Sequence, residues 1–269
     1  MNASDYPPLT RVETPHLHAY TAGSGPFTLL FHGGMGSHTH WIRNLGPLSR
    51  HMTVCALDLP GLGGSPDVAE GTDANAYLDL VWASVSRLVD NQPSVDIIAF
   101  SFGSVVASQI ATQLGERLRC MTIIGPGGFG IPKGRNMDIR KRDKSSKNSD
   151  DEVAVIRHNL LQGMIYKPSA ITGETIQTQL HNVNRTRFNS RVVSFEVSLP
   201  RNLKATHCPL QIIWGEQDRY AFPSVQARVE RCEAARHFTK HILPNCGHWA
   251  QYECASEVNE LLIDFHARH

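Results

Sequence analysis

Ser101, Asp218 and His248 are residue types that, in this order, could perform nucleophilic attack on a carbonyl. Ser101 stands in residues 95–104, V-D-I-I-A-F-S-F-G-S, where an apolar run of strand length gives way to a helical pattern. A serine between strand and helix, with small residues two positions to either side, fits a nucleophile elbow. The turn brings backbone against backbone, so Ala99 and Gly103 must be small. A serine that opens a helix also fits a plain N-cap, and the elbow pattern alone does not separate the two.

The rest of the chain supplies what a serine nucleophile lacks. A hydroxyl needs a base to attack at neutral pH, and the base needs an orienting acid. The apolar run ending at Trp214 is followed by Gly215, Glu216, Gln217 and Asp218, which makes Asp218 the candidate acid. Glu216 lies so close to the strand end that it is expected to point away. The run ending at Leu243 is followed by Pro244, Asn245, Cys246, Gly247 and His248, so His248 is the candidate base. His241 falls inside that strand and His237 at its start. A tetrahedral intermediate also needs amide donors. One is the N–H of Phe102. The other comes from the loop His32, Gly33, Gly34, Met35, Gly36, with Gly34 preferred and Met35 as alternative. That loop lacks G-x-G-x-x-G spacing and has no following lysine, so it does not read as a nucleotide site.

These residues require strand ends to hold them. Strands are expected over 17–22, 27–31, 52–57, 95–100, 119–124, 210–214 and 238–243. Helices are expected from Thr72 or Asp73 to about 90, over 103–114, over about 223–232, and at the C-terminus. The first of these should bury Tyr77, Leu80, Val81, Val85 and Leu88. Strand–helix alternation of this kind implies a parallel sheet with helices on both faces, an α/β fold. The alternation stops after residue 126 and resumes at 206. The expected plan is therefore a core of 1–126 and 206–269, with a mostly helical insertion of 127–205. Two apolar stripes mark that insertion, Val153, Ile156, Leu160, Leu161 and Met164, then Ile176, Leu180 and Val183. Residues 133–152 hold seven Lys/Arg and five Asp/Glu and read as a solvated segment.

Composition narrows the classes further. The chain has 269 residues, 19% charged, with a formal net charge of +1, which argues against a nucleic-acid partner. No apolar run approaches the roughly 20 residues of a membrane span, and the start shows no secretory signal. Six cysteines without C-x-x-C spacing read as reduced thiols of a cytoplasmic protein. His38 and His40 lack a neighbouring Cys or carboxylate in sequence, so neither a metal nor another cofactor is expected. The sequence leaves a homodimer open.

His32-Gly33-Gly34, the run from Asp58 to Ser65, Ser101 in its elbow, Gly215 to Asp218, and Gly247-His248 together resemble the α/β-hydrolases. The resemblance implies a mostly parallel eight-stranded sheet, a Ser-His-Asp triad and a helical lid. Two stretches, Gly125 to Gly130 and Gly247 to Glu253, look most like the meta-cleavage-product hydrolases, which split a C–C bond in dienoates. Pro168 to Thr172 resembles their lid. That family tends to carry Asn before the nucleophile, where this chain has Phe100. Its lid arginine falls near Gln179, with Arg185 or Arg187 one to two turns later. The resulting expectation is a serine hydrolase for a small, largely apolar acyl compound. A carboxylic ester is the first reading and a C–C bond beside a carbonyl the alternative; a lyase or cofactor-free oxygenase on the same scaffold is a further class. Met35, Phe100, Leu161, Ile165, Gln179, Arg187 and Trp249 are the expected pocket residues.

Overall fold

A computed structural model describes residues 7–134, 136–142 and 149–269. It opens with a hairpin, β1 (Thr10–Glu13) and β2 (His18–Ala22), followed by β3 (Phe27–Phe31). The sequence reading found no strand before residue 17, because β1 is short, polar and mostly exposed. Next come α1 (Leu45–Ser49), β4 (Thr53–Asp58), α2 (Ala74–Leu88), β5 (Val95–Phe100), α3 (Phe102–Leu114) and β6 (Leu118–Ile124). The insertion follows, with α4 (Ser149–Asn159), a π turn at Leu160–Met164, α5 (Gly173–Asn184), α6 (Arg191–Glu196) and α7 (Leu199–Ala205). The chain ends with β7 (Leu210–Gly215), α8 (Val225–Glu233), β8 (Thr239–Leu243), α9 (Ala250–Glu253) and α10 (Ala255–Arg268).

The strands form one eight-stranded sheet in the order β1-β2-β4-β3-β5-β6-β7-β8. Only β2 runs antiparallel to its neighbours β1 and β4; from β4 onward all pairs are parallel. The chain moves outward one way from β3 to β4, then crosses back to β5 on the other side of β3. That reversal is the topological switch point, where the C-terminal ends of β3 and β5 open a crevice. The glycine loop after β3 and the serine after β5 are neighbours for this reason.

Helices cover both faces. One apolar layer contains Tyr77, Val105, Ile110 and Val229. The other contains Leu45, Trp249, Tyr252 and Leu262. Along β5, alternate side chains enter opposite layers, Ile97 and Ala99 in the first and Ile98 and Phe100 in the second. α2 is capped by Asp73, whose carboxylate accepts the Ala76 N–H at 2.9 Å. Its buried face differs from the expected one: Leu78 and Ser84 go in, while Leu80 and Leu88 are only half-buried. α2 packs against α6 as well as α3, so its buried face is set by two neighbours. The insertion divides between the layers. Val193, Leu199 and Leu203 join the first, and Ile156, Leu160, Ile171 and Ile176 the second.

Candidate active site

Ser101 sits at φ 53°, ψ −115°, a strained backbone for a residue with a side chain. Main-chain bonds hold it there. Its N–H donates to Ile124 O at 2.9 Å, and its own carbonyl accepts from Gly127 N–H at 3.2 Å. Gly103 is packed so closely that a Cβ would stand 2.4 Å from the carbonyl oxygen of His32. The small residue expected there is therefore a steric necessity. The serine is no ordinary N-cap, since its side chain makes no capping bond.

The Oγ–H of Ser101 instead faces His248 Nε2 at 2.8 Å, and His248 Nδ1–H donates to Asp218 Oδ2 at 2.8 Å. The other Asp218 oxygen accepts the amides of Tyr220 at 2.8 Å and Ala221 at 3.3 Å. With both oxygens engaged, the carboxylate is fixed in the orientation that holds the imidazole. Asp218 and His248 are buried; Glu216 is exposed and turned toward the amide of Asn245. His237 is exposed before β8, and His241 lies within it. Gly125 (φ 48°) follows β6 beneath the pair, where a Cβ would lie about 3.1 Å from His248 Nδ1 and 3.2 Å from Asp218 Oδ2. Phe100 and Tyr220 flank the imidazole, with ring centroids 5.0 and 4.6 Å away.

The glycine loop is locked by two histidines. His32 Nδ1–H donates to Gly33 O at 2.7 Å, and its Nε2 accepts the Leu59 N–H at 3.0 Å. Burial lowers the His32 pKa to about 4, so the ring is neutral and keeps one nitrogen as acceptor. His40 Nδ1 accepts the Gly33 N–H at 3.2 Å, and burial pushes its pKa well below the ordinary value. The Gly33 amide is thus occupied. Gly34 lies next to Phe102: a Cβ on Gly34 would be 3.7 Å from the Phe102 Cβ and 2.7 Å from Ser190 Oγ. Phe102 is the first residue of α3, where helix amides lack internal acceptors. Met35, at φ 50°, is half-exposed on the same loop.

A cavity of about 820 Å³ opens above Ser101 and His248. Of the expected pocket residues, Met35, Phe100, Gln179 and Arg187 line it. Three others do not. Leu161 is displaced because Ile165 N–H bonds Leu160 O, an i+5 step that puts Leu160 and Met164 on the wall instead. Ile165 is buried in the second layer. Trp249 is fully buried, stacked on Tyr252 and donating to His40 O at 3.1 Å. Arg187 reaches the wall with its guanidinium already committed to Asp67 and to the carbonyls of Ser65 and Gly63. Arg185 is exposed beyond α5, outside the lining.

Residues absent from the sequence reading also line the cavity: Ser190, Tyr220, and Ile139 to Arg142. The last group belongs to the stretch expected to be solvated, of which 135 and 143–148 lie outside the described residues. Nothing in a polar segment's pattern reveals which part docks. The expectation about a secretory leader likewise falls on 1–6, outside the described residues.

His38 has found a carboxylate after all. Its N–H and ring Nδ1 both bond Asp58 Oδ1, at 2.6 and 3.0 Å, while His40 turns inward to Gly33. A different trio, Asp96, Cys120 and His266, brings ligand-type atoms within 4.8 Å at the opposite end of the sheet. Arg119 and His266 already pair with Asp96, Thr122 bonds His266, and burial pushes the Cys120 thiol up, so it stays protonated. That group reads as a hydrogen-bond network tying α10 to the sheet. All six cysteines are free thiols. Among the described residues, no helix is long and apolar enough to cross a membrane.

Comparison with known proteins bears on the family and the fold. The chain is 26% identical over 265 residues to the 2-hydroxy-6-oxo-6-phenylhexa-2,4-dienoate hydrolase of Comamonas testosteroni, covering 93% of this chain and 90% of that one. It is 27% identical over 272 residues to the 2-hydroxy-6-oxononadienedioate/2-hydroxy-6-oxononatrienedioate hydrolase of Paraburkholderia phymatum, with the same coverages. The solved structure of the 2-hydroxy-6-oxo-6-phenylhexa-2,4-dienoate hydrolase from Rhodococcus sp. strain RHA1 superposes with a TM-score of 0.77 at 19% identity. It covers 97% of this chain and all of that one, and it speaks for the fold. The model of the alpha/beta hydrolase family matches residues 28–261, from β3 into α10 and so through the strand ends that carry Ser101, Asp218 and His248, and this chain belongs to that family.

Proposed function

We propose that the protein hydrolyses a C–C bond beside a ketone in a 2-hydroxy-6-oxo-dienoate. The observation that carries this reading is that similar proteins over 93% of the chain are named hydrolases of such dienoates. The ester expected first from the sequence gives way to its alternative on this ground. The Ser101–His248–Asp218 relay and the amides of Phe102 and Gly34 are the machinery it would use.

The chemistry follows from the substrate class. A proton delivered to the carbon next to the 6-oxo group converts the dienol into a ketone conjugated through one double bond. Ser101 Oγ then adds to the 6-carbonyl, and His248 Nε2 takes its proton. The new oxyanion is received by the N–H groups of Phe102 and Gly34. When the C–C bond breaks, its electron pair enters the conjugated ketone and forms a dienolate, so no strongly basic carbanion is released; the dienolate takes the proton held by His248 and leaves the imidazole neutral. Water assisted by His248 then frees the acyl group as a carboxylic acid. Residues 127–205 act as the lid over a core of 1–126 and 206–269, with Ile156, Leu160 and Met164 supplying apolar wall.

The test compares purified protein on a 2-hydroxy-6-oxo-dienoate, followed by loss of its absorbance, with a nitrophenyl ester of similar size. The dienoate should be preferred at least about 100-fold in kcat/KM, and Ser101→Ala should lose at least about 10³-fold. Faster turnover of the ester than of every dienoate would overturn the reading.

A further inference from the structure

We propose that Cys254 and Cys246 form a peroxide-sensitive thiol pair, and that their disulfide lowers turnover by displacing His248. Of the six cysteines, five are buried and Cys254 is partly exposed. Cys246 lies in the second apolar layer, and Cys254 packs against that layer. The Cys246 S–H donates a hydrogen bond to the Cys254 sulfur, so the two sulfurs already face each other. The seven residues between them include His248 and Glu253.

The surroundings divide the roles. Cys254 is the residue that opens α10, and its side chain makes no capping bond. A helix N-terminus favours a thiolate over a thiol. The hydrogen bond from Cys246 lowers the Cys254 pKa, and Lys167 acts in the same direction, against burial and the carboxylates of Glu253 and Glu257. The bond it donates, together with burial, pushes the Cys246 thiol up. Burial likewise pushes Cys55 up to about 12, so a buried thiol without such a partner is inert. Cys254 is therefore the thiol that meets an oxidant, and Cys246 the thiol that resolves it.

The oxidant is hydrogen peroxide. The Cys254 thiolate attacks one peroxide oxygen; an S–O bond forms, the O–O bond breaks, and the hydroxide released takes a proton to become water. The Cys246 sulfur then attacks the sulfenic acid; the S–S bond forms, the S–O bond breaks, and the hydroxyl leaves as water with the Cys246 proton. Two thiols lose two electrons and one peroxide becomes two waters. A covalent bond between two sulfurs is shorter than a hydrogen-bonded contact, so one end of the pair must move. Cys246 is fully buried, and its carbonyl accepts the Gln217 N–H at 2.9 Å. Cys254 stands at the break between α9 and α10 and yields more readily. Glu253, its neighbour, accepts the Gly247 N–H at 2.8 Å, and Gly247 leads into His248. The shift therefore reaches the 2.8 Å contact of His248 Nε2 with Ser101 Oγ.

The experiment treats reduced, purified protein with hydrogen peroxide and follows peptide mass and activity together. After free thiols are blocked, cleavage at Tyr252 should leave the Cys246 and Cys254 fragments joined until dithiothreitol is added. The kcat should fall at least about tenfold and return with dithiothreitol. The loss should be the same with the dienoate and with the nitrophenyl ester, so it is read independently of which bond the enzyme cleaves. Cys254→Ser should keep its basal activity and hold it within about twofold under peroxide. Cys246→Ala should stop at a sulfenic acid on Cys254, which dimedone labels. Absence of the 246–254 disulfide, or a disulfide that leaves kcat unchanged, would overturn the proposal. So would a loss that persists in Cys254→Ser or resists dithiothreitol, as oxidation of Met35 or Met164 on the cavity wall would give.

Discussion

At the sheet end of the cavity, main-chain bonds do the positioning. Ser101 hangs between Ile124 and Gly127, Asp218 is clasped by two amides, and Gly33 is fixed by His32 and His40. Across the cavity, the insertion is attached differently. α4 and α5 rest on the second apolar layer and α6 and α7 on the first, so the insertion straddles the crevice. Its junction with the His248 loop is largely one carboxylate. Glu253 accepts the amides of Gly247, Tyr166 and Lys167, and Met164 O accepts the Trp249 N–H at 2.8 Å. Backbone-fixed geometry suits groups that must meet a reacting atom within tenths of an ångström. Side-chain packing suits a wall that must vary with the substrate.

The largest test of this contrast lies at the sheet end. Asp218→Asn should cost about 10³- to 10⁴-fold in kcat, because the amide no longer fixes the imidazole tautomer. Glu216→Gln should stay within about twofold, since that residue is exposed. The reverse pattern in steady-state kinetics would move the acid and break the assignment of the rigid side.

A smaller effect reads the histidine lock. His32 titrates near 4 in the folded protein, against about 6.5 in the unfolded chain. Between these values the unfolded state binds more protons, so stability is lost as pH falls through this window. From about pH 7.5 to about pH 5 the loss should be roughly 2 kcal/mol, read as a lower urea midpoint. His40, also held neutral by burial, acts in the same direction. A flat profile would show that the loop is not held by neutral rings.

The smallest effect probes the junction. Glu253→Ala leaves three amides without their acceptor and should cost about tenfold in kcat/KM, mainly through KM. If kcat alone collapsed with KM unchanged, the junction would belong to the rigid side.

The elements carrying the Ser101, Asp218 and His248 arrangement were legible because each of these candidate groups follows its strand by only a few residues. An apolar run ending in a turn signal locates a strand end well, and β3 and β5 match their expected bounds. Polar and exposed β1 gave no such signal. Leu161 failed for a local reason, since one π turn changes the helical phase that a 3.6-residue period assumes. Trp249 failed for a tertiary one. Its neighbour His248 faces the cavity, but the next side chain turns into the second layer, where Tyr252 stacks on it.

The sequence by itself determined which residues form the relay and in what order, because strand, turn and nucleophile are short-range features of the chain. Which strands stand side by side, which insertion side chains reach the cavity, and where positive charge is left unpaired depended on the tertiary structure. Those outcomes come from contacts between residues far apart in the chain. Arg187 and Arg140 show the difference: their side-chain chemistry is the same, but one meets Asp67 and the other meets no carboxylate among the described residues.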